Sequence, residues 1–427
     1  MALLIYTERL NPRISYVFEL IFGNILGIDF SFCNDLEQFK SVIEAKIAYS
    51  EFGLAGCINF KKHPFMDEKT IQQQNLAFAD YAELKIPFAV ADSVFGFDVF
   101  AASFYFLSRY EEYISPKRDE HFRFEAKHSL AYKNGFLERP LVDEWAFKIA
   151  ELIKKAFPKF EVKKREFKYI PTLDIDRPFY YETDRFVKKS AKFILGGFKK
   201  DPFDVYQQVA DWDKKHHLNT IYFFLLGSKH MNDVSPGSSN KLYQSVIKKA
   251  VKTHQIGIHP SYFAALNPDE VAKEKQQLAD ISKTEITISR QHYLMLRLPE
   301  TYRTLINAGI KADYTLAFAD VAGFRASTCT HFRWYDLKLE KCTDLLLYPT
   351  AVMDQTLRRY MNLTPEEGLV FITQLMKNVK AVNGTFISLW HNESINDFGV
   401  WKGWKTVYEQ MLALNHVMLN DRETSHK

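Results

Sequence analysis

Two aspartates, Asp174 and Asp176, close a short apolar run that reads Tyr-Ile-Pro-Thr-Leu-Asp-Ile-Asp over residues 169–176. Side chains alternate faces along a strand, so a pair spaced i, i+2 projects to one side. Carboxylates held that close repel, and a metal ion or a shared proton is what compensates the repulsion. The pattern therefore suggests a metal-assisted or acid–base site. Arg177-Pro178 follows at once and also permits the plainer reading of a solvated pair at a turn.

The same construction recurs down the chain. Strand-like runs at 219–226, 255–258 and 286–289 end at Gly227, at His259-Pro260 and at Arg290-Gln291-His292-Tyr293. Further runs at 312–318, 345–349 and 384–390 continue the series, the last ending at His391-Asn392. Helical patterns at 202–216, 241–253, 268–283, 299–308 and 364–382 separate them. Strands alternating with helices predict an α/β fold with a parallel sheet covered by helices. In a barrel of that kind the carboxyl ends of the strands converge on one face, where active sites form. The Asp pair, Arg290 and the strand-end histidines are thus expected in one pocket.

The order of these motifs over about residues 165–420 resembles the polysaccharide deacetylase family, the NodB-homology carbohydrate esterases. The resemblance implies a distorted (β/α) barrel, usually seven-stranded, that removes acetyl groups from sugars with a divalent metal. Matched to the family's motifs, Asp174 would be the general base and Asp176 a metal ligand. Ile256-Gly-Ile-His259 would supply a second ligand, His259. Arg290 would orient the base, and the backbone N–H near Tyr293 would help polarise the carbonyl. Leu389-Trp390-His391 would make His391 the general acid.

Two departures stand out. The family carries another ligand His four residues after the first, where this chain has Phe263, which cannot bind a metal. The nearest replacement is His292, two residues from Arg290. Asp176, His259 and His292 with one open position would meet the needs of a catalytic zinc, the expected ion. The Asp-Trp pair that positions the acid His in the family is replaced by Ala317-Phe318, leaving Asp313, Asp320 or Asp354 as the partner of His391.

The residues suit this chemistry independently of the resemblance. Amide hydrolysis needs an activated water, a stabilised oxyanion and a proton for the leaving nitrogen. A metal supplies the first two, and a histidine, with an ordinary pKa near ~6.5, the third. The chain has no Gly-x-Ser-x-Gly elbow, no phosphate-binding Gly-x-x-x-x-Gly-Lys loop and no His-Glu-x-x-His.

The 427 residues suffice for two or three domains. Lys plus Arg number 56 against 52 Asp plus Glu. That net +4 is dispersed apart from short clusters such as Lys163-Lys164-Arg165 and Lys188-Lys189, which argues against nucleic acid as a partner. The four cysteines show no Cys-x-x-Cys spacing and are expected to be reduced. The amino terminus reads as a first strand, and no apolar run approaches ~18 residues, so a soluble cytoplasmic protein without a transmembrane segment is the expectation.

Residues 1–160 are expected to form a smaller α/β accessory domain and residues 165–427 the barrel, joined by the charged segment 159–168. Asn11-Pro12 predicts a helix start, with strands at 28–33, 46–50 and 55–60. Residues 97–114, capped by Asp98, predict one helix with an aromatic core face, and 141–157 another. This half also resembles the domain that precedes the barrel in a bacterial subset of deacetylase-like proteins, a resemblance that assigns it no chemistry. Trp390, Trp401, Trp404, Tyr262 and Tyr293 lie near strand ends and could stack on sugar rings. Asn392 and Arg325 are added as polar candidates for holding substrate. Two function classes follow: a metal-dependent deacetylase of an N- or O-acetylated sugar in a glycan or its precursor, or a non-catalytic glycan-binding or assembly protein on a degenerate barrel.

Overall fold

A computed structural model of the chain describes residues 2–181 and 201–420; the Lys188-Lys189 cluster lies outside them. Nine strands form the larger sheet. They are β7 (Lys168–Ile175), β8 (Ile221–Phe224), β9 (Ile256–Ile258), β10 (Ile288–Ser289), β11 (Ala312–Asp313), β12 (Phe332–Asp336), β13 (Lys341–Leu347), β14 (Val352–Met353) and β15 (Thr385–His391). Their order is β12-β13-β11-β10-β9-β8-β7-β15-β14. Every neighbouring pair is parallel except β12 with β13.

The architecture is a mixed α/β fold around a curled, open half-barrel sheet. All seven expected strands lie side by side in it. The additions are the antiparallel β12 at one edge and the two-residue β14 at the other. Across the open side, Thr350 donates to the Leu316 carbonyl at 3.1 Å and Gly323 to that of Ala351 at 2.8 Å. The run expected as a strand over 312–318 keeps ladder pairing only at Ala312–Asp313, because the chain beyond turns to make those contacts.

Helices Tyr206–His216, Lys241–Ala250, Asp269–Ser282, Glu300–Asn307, Pro365–Ala381 and Trp404–Asn420 accompany the sheet. Their starts follow the local chemistry. Asn240 accepts from the Tyr243 N–H, and Thr364 with Glu367 forms a capping box. Inside the curl, Ile221, Phe223, Ile288, Ala312, Tyr314 and Ile387 form a buried apolar layer. Gly257 in β9 belongs to this layer for steric reasons, since a Cβ there would sit 2.6 Å from the Phe223 ring. The layer makes a solid floor beneath the carboxyl ends of the strands.

The amino-terminal part has a four-stranded parallel sheet, β1 (Leu3–Tyr6), β2 (Phe30–Cys33), β3 (Lys46–Ser50) and β4 (Ile58–Lys61), ordered β2-β1-β3-β4. A small antiparallel pair, β5 (Phe78–Tyr81) and β6 (Leu84–Pro87), follows. Asn11 caps the first helix as its side chain predicts, accepting from the Ile14 N–H.

The helix expected over 97–114 is interrupted. Asp98 caps Val99–Leu107, Arg109 takes a left-handed φ of 56°, and a second piece runs Tyr110–Ile114. The break has a cause in charge: it lets the buried Arg109 guanidinium reach Glu111 and Glu112 at 2.7 Å each and the Arg325 carbonyl across the fold. Glu112 in turn pairs with Arg325 at 2.6 Å, so buried ion pairs tie this part of the chain to the large sheet's loops. The four cysteines are free. Among the described residues no helix is long and apolar enough to cross a membrane.

Candidate metal and acid–base site

The site forms where β7, β9, β10 and β15 end. In the β7–β15 ladder Asp174 lies directly opposite His391, and Asp176 follows one residue past the strand. Arg290, fully buried behind them, donates to Asp174 Oδ1 at 2.8 Å and to Thr172 Oγ1 at 2.6 Å. It also donates to the Tyr314 carbonyl at 3.1 Å and to Thr350 Oγ1 at 3.2 Å, and its guanidinium lies 4.6 Å from the Phe223 ring centroid. A guanidinium so fully engaged cannot swing, so it fixes the rotamer of Asp174.

Asp176, His259 and His292 each offer a ligand atom, and these atoms lie within 4.8 Å of one another. His259 Nε2 is 3.2 Å from Asp176 Oδ1, and His292 Nε2 is 3.3 Å from Asp176 Oδ2. The other nitrogen of each ring is already engaged: His259 Nδ1 with the Arg290 carbonyl at 2.5 Å, His292 Nδ1 with Asp233 Oδ1 at 3.2 Å. Acceptors at both Nδ1 positions favour the tautomer that leaves Nε2 lone pairs pointing inward, the arrangement that orients histidine ligands in metal sites. Asp176 Oδ1 is buried and accepts no well-aligned hydrogen bond. Two imidazole nitrogens facing a carboxylate oxygen that accepts no hydrogen bond form a donor set that could hold a divalent metal ion.

The electrostatics point the same way. Burial disfavours charge on His292, but Asp176 and then Asp233 outweigh it and raise the imidazole to about 9. Burial would raise Asp176, yet His292 leads the neighbours that hold it well below the usual carboxylate range. The cluster draws positive charge to itself, which protons or a metal cation can supply.

His391 stands on the far side. Its Nε2 is 3.6 Å from Asp176 Oδ2, while its Nδ1 meets Asp354 Oδ1 at 2.8 Å. Burial lowers its proton affinity, and Asp354, joined by Asp176 and Asp174, more than reverses this, lifting it to about 10. Of the three carboxylates considered as its partner, Asp354 makes the contact. Asp313 is held by Ser289 and Thr315, and Asp320 accepts from the Ala126 N–H.

These groups open onto a cavity of about 270 Å³. Tyr293 lines it in a left-handed conformation with φ 60°. Phe263 does not line it; that ring packs beneath Lys229, 5.2 Å from the Nζ.

The four residues expected to hold substrate need correction. Trp390 is fully buried against Trp404 and Tyr408, because strand alternation sends it away from Leu389 and His391. The Asn392 amide donates to the Arg177 and Phe203 carbonyls and so fixes a loop. Tyr262 is buried behind the wall, its hydroxyl 3.2 Å from His121 Nδ1 and its ring stacked on His230. Arg325 is consumed by Glu112 and the Ala317 carbonyl. None of the four lines the cavity.

The site also includes residues that no sequence motif marks. Asp233 sits in a loop with no motif of its own. Arg123 comes from the amino-terminal part: it pairs with Asp119 at 2.7 Å and donates to the Tyr293 carbonyl at 3.0 Å and the Tyr360 hydroxyl at 3.2 Å. Arg177, Arg359 and Glu393 also line the cavity. An arginine in an irregular segment carries no periodic signal; the one available clue was the clustering of polar residues just after strands.

A family of unknown function, DUF7033, matches residues 3–158. No curated protein matches. Among solved structures, a candidate polysaccharide deacetylase from Mycobacterium smegmatis is 12% identical, covering 61% of this chain and 86% of its own, with a TM-score of 0.41. A polysaccharide deacetylase from Bacillus cereus is 14% identical over 59% and 89% of the two chains, with a TM-score of 0.31. A family 4 carbohydrate esterase pseudoenzyme from Bacillus anthracis is 11% identical over 57% and 62%, with a TM-score of 0.31. Likenesses this distant assign no activity, and the functional argument rests on the site.

Proposed function

We propose that this chain is a metal-dependent hydrolase that removes the acetyl group from an N-acetylated, or O-acetylated, sugar of a glycan or glycan precursor. The observation that carries the reading is the flanking of one ligand triangle, Asp176, His259 and His292, by two differently prepared groups: Asp174 on Arg290 and His391 on Asp354. A divalent ion held by that triangle, zinc on this donor set, would lower the pKa of its bound water and polarise the acetyl carbonyl.

The protein's own groups do the rest. Asp174, one oxygen held by Arg290 and the other facing the triangle, takes the proton of the attacking water. His391, protonated through Asp354, delivers a proton to the departing nitrogen or oxygen. The buried layer under the site keeps bulk water to one side. The backbone N–H near Tyr293, whose carbonyl accepts from Arg123, would polarise the acetyl carbonyl.

The experiment is acetate release from N-acetylhexosamine nucleotides, lipid-linked intermediates and oligosaccharides by protein loaded with zinc. Release that depends on the metal supports the hydrolase. Tight glycan binding without release from any compound would favour the glycan-binding or assembly protein.

A further inference from the structure

One wall of the cavity carries a ridge that the chemistry above does not use. The π-helical turn Thr356–Tyr360 follows β14 and presents Arg359 and Tyr360 outward at the cavity rim. π-turns of this kind are uncommon and concentrate at functional sites. Two guanidinium groups flank the half-exposed Tyr360 ring, Arg359 and Arg123, each 5.8 Å from its centroid.

The cavity's acids are engaged elsewhere than at Arg359. Asp174 is held by Arg290, Asp176 faces His259 and His292, and Glu393 accepts from the Gln355 amide at 3.4 Å and interacts with Arg177. Arg123 is matched by Asp119. Among the described residues, Arg359 forms no ion pair, and a metal on the triangle would make the cavity more positive still. A neutral acetylated sugar needs no guanidinium beside it. A planar fork beside a half-exposed aromatic ring suits a sugar that bears a carboxylate or a phosphate, the sugar packing beside Tyr360 and the anion taking two N–H bonds from Arg359.

We infer that the acetylated sugar taken by this pocket carries an anionic group, a carboxylate or a phosphate, held by Arg359 beside Tyr360. The inference rests on the hydrolase reading for the acetyl group and on the ridge alone for the charge.

The test uses the zinc-loaded full chain and three matched N-acetylglucosamine disaccharides: neutral, with a hexuronate as the second sugar, and with a sugar phosphate. Wild type should show kcat/KM about tenfold or more higher for an anionic compound than for the neutral one, with the advantage shrinking at high salt. The uronate and phosphate arms identify the anion. Arg359→Glu should abolish the preference chiefly through KM, and Arg359→Lys should restore part of it, keeping charge without the fork. Equal use of all three by wild type, or a preference unmoved by Arg359→Glu, overturns the inference. If no compound releases acetate, the hydrolase reading fails separately, and calorimetric binding of the same three decides the charge. Selective binding of an anionic compound that Arg359→Glu removes then supports the inference, and indifferent binding overturns it.

Discussion

Asp354 holds His391 from two sides: Oδ1 lies 2.8 Å from the ring Nδ1, and Oδ2 accepts the backbone N–H of the same residue at 2.8 Å. Burial works against protonating the imidazole, and Asp354 leads the carboxylates, with Asp176 and Asp174, that outweigh it and raise the pKa to about 10. A general acid works while protonated, and turnover should fall as pH climbs through a pKa that Asp354 holds above the ordinary histidine value. Asp354→Asn removes the largest opposing charge, so the alkaline limb of kcat against pH should move to lower pH and the rate at pH 8 should drop about tenfold or more. A limb that stays where it is would remove His391 from this role.

The ligand triangle makes a prediction about metal content. His259→Ala and His292→Ala should each lose the bound divalent ion in elemental analysis of the purified protein. Asp233→Asn, acting through His292 Nδ1, should weaken the metal about 10- to 100-fold in a chelator competition. Phe263→His should change neither, because that side chain lies outside the cavity. A gain in affinity from Phe263→His would mean that the triangle is not the site.

Arg123 links the amino-terminal part to the cavity. Truncation to Ala frees the Tyr293 carbonyl and the Tyr360 hydroxyl together. kcat/KM for acetate release should fall about tenfold or more, since two positioning bonds and an ion pair go with it. Added guanidinium should recover part of the loss, whereas Arg123→Lys should not, because a point charge cannot span Asp119, Tyr293 and Tyr360. Full activity in Arg123→Ala would reduce the contact to packing.

The site was legible in the sequence where side-chain period and strand ends coincide. Asp174 and Asp176 are two apart on a strand, and His259, Arg290, His292 and His391 each follow an apolar run, so the fold's polarity gathers them at one end. The same alternation excludes Trp390, which lies between Leu389 and His391 and must face the other way. Asp354 was one of three candidates because the two-residue β14 that presents it is too short to leave a pattern. Asp233 and Arg123 sit in irregular segments whose course is set by tertiary contacts. The interruption at Arg109 was hidden for a related reason: residues 97–114 have good helical periodicity, and buried charges at Glu112 and Arg325 override it.

That buried network predicts an acid transition. Burial alone would raise the Glu112 carboxyl, but Arg325 and then Arg109 hold it down to about 2. A depressed carboxylate contributes stability that is present above its unfolded value of ~4.5 and is lost as pH falls toward 2. Its share is on the order of 3 kcal/mol. Glu111 beside it is pushed upward by burial, which offsets part of this. Urea midpoints at pH 7 and pH 3 should therefore differ more for wild type than for Glu112→Gln, which is less stable at pH 7 but lacks the titrating group. Equal pH sensitivity in the two proteins would contradict the network's role.

Acetate release by zinc-loaded wild type and Asp174→Asn, with metal content measured on the same preparations, tests the central claim most directly. Asn keeps the shape of the side chain and its place beside Arg290 but cannot take the proton of water. The expected result is about one equivalent of zinc in both proteins, release by wild type that chelator removes and zinc restores, and loss of about a hundredfold or more in the variant. Release that survives Asp174→Asn, or that proceeds unchanged in metal-free protein, would contradict the account.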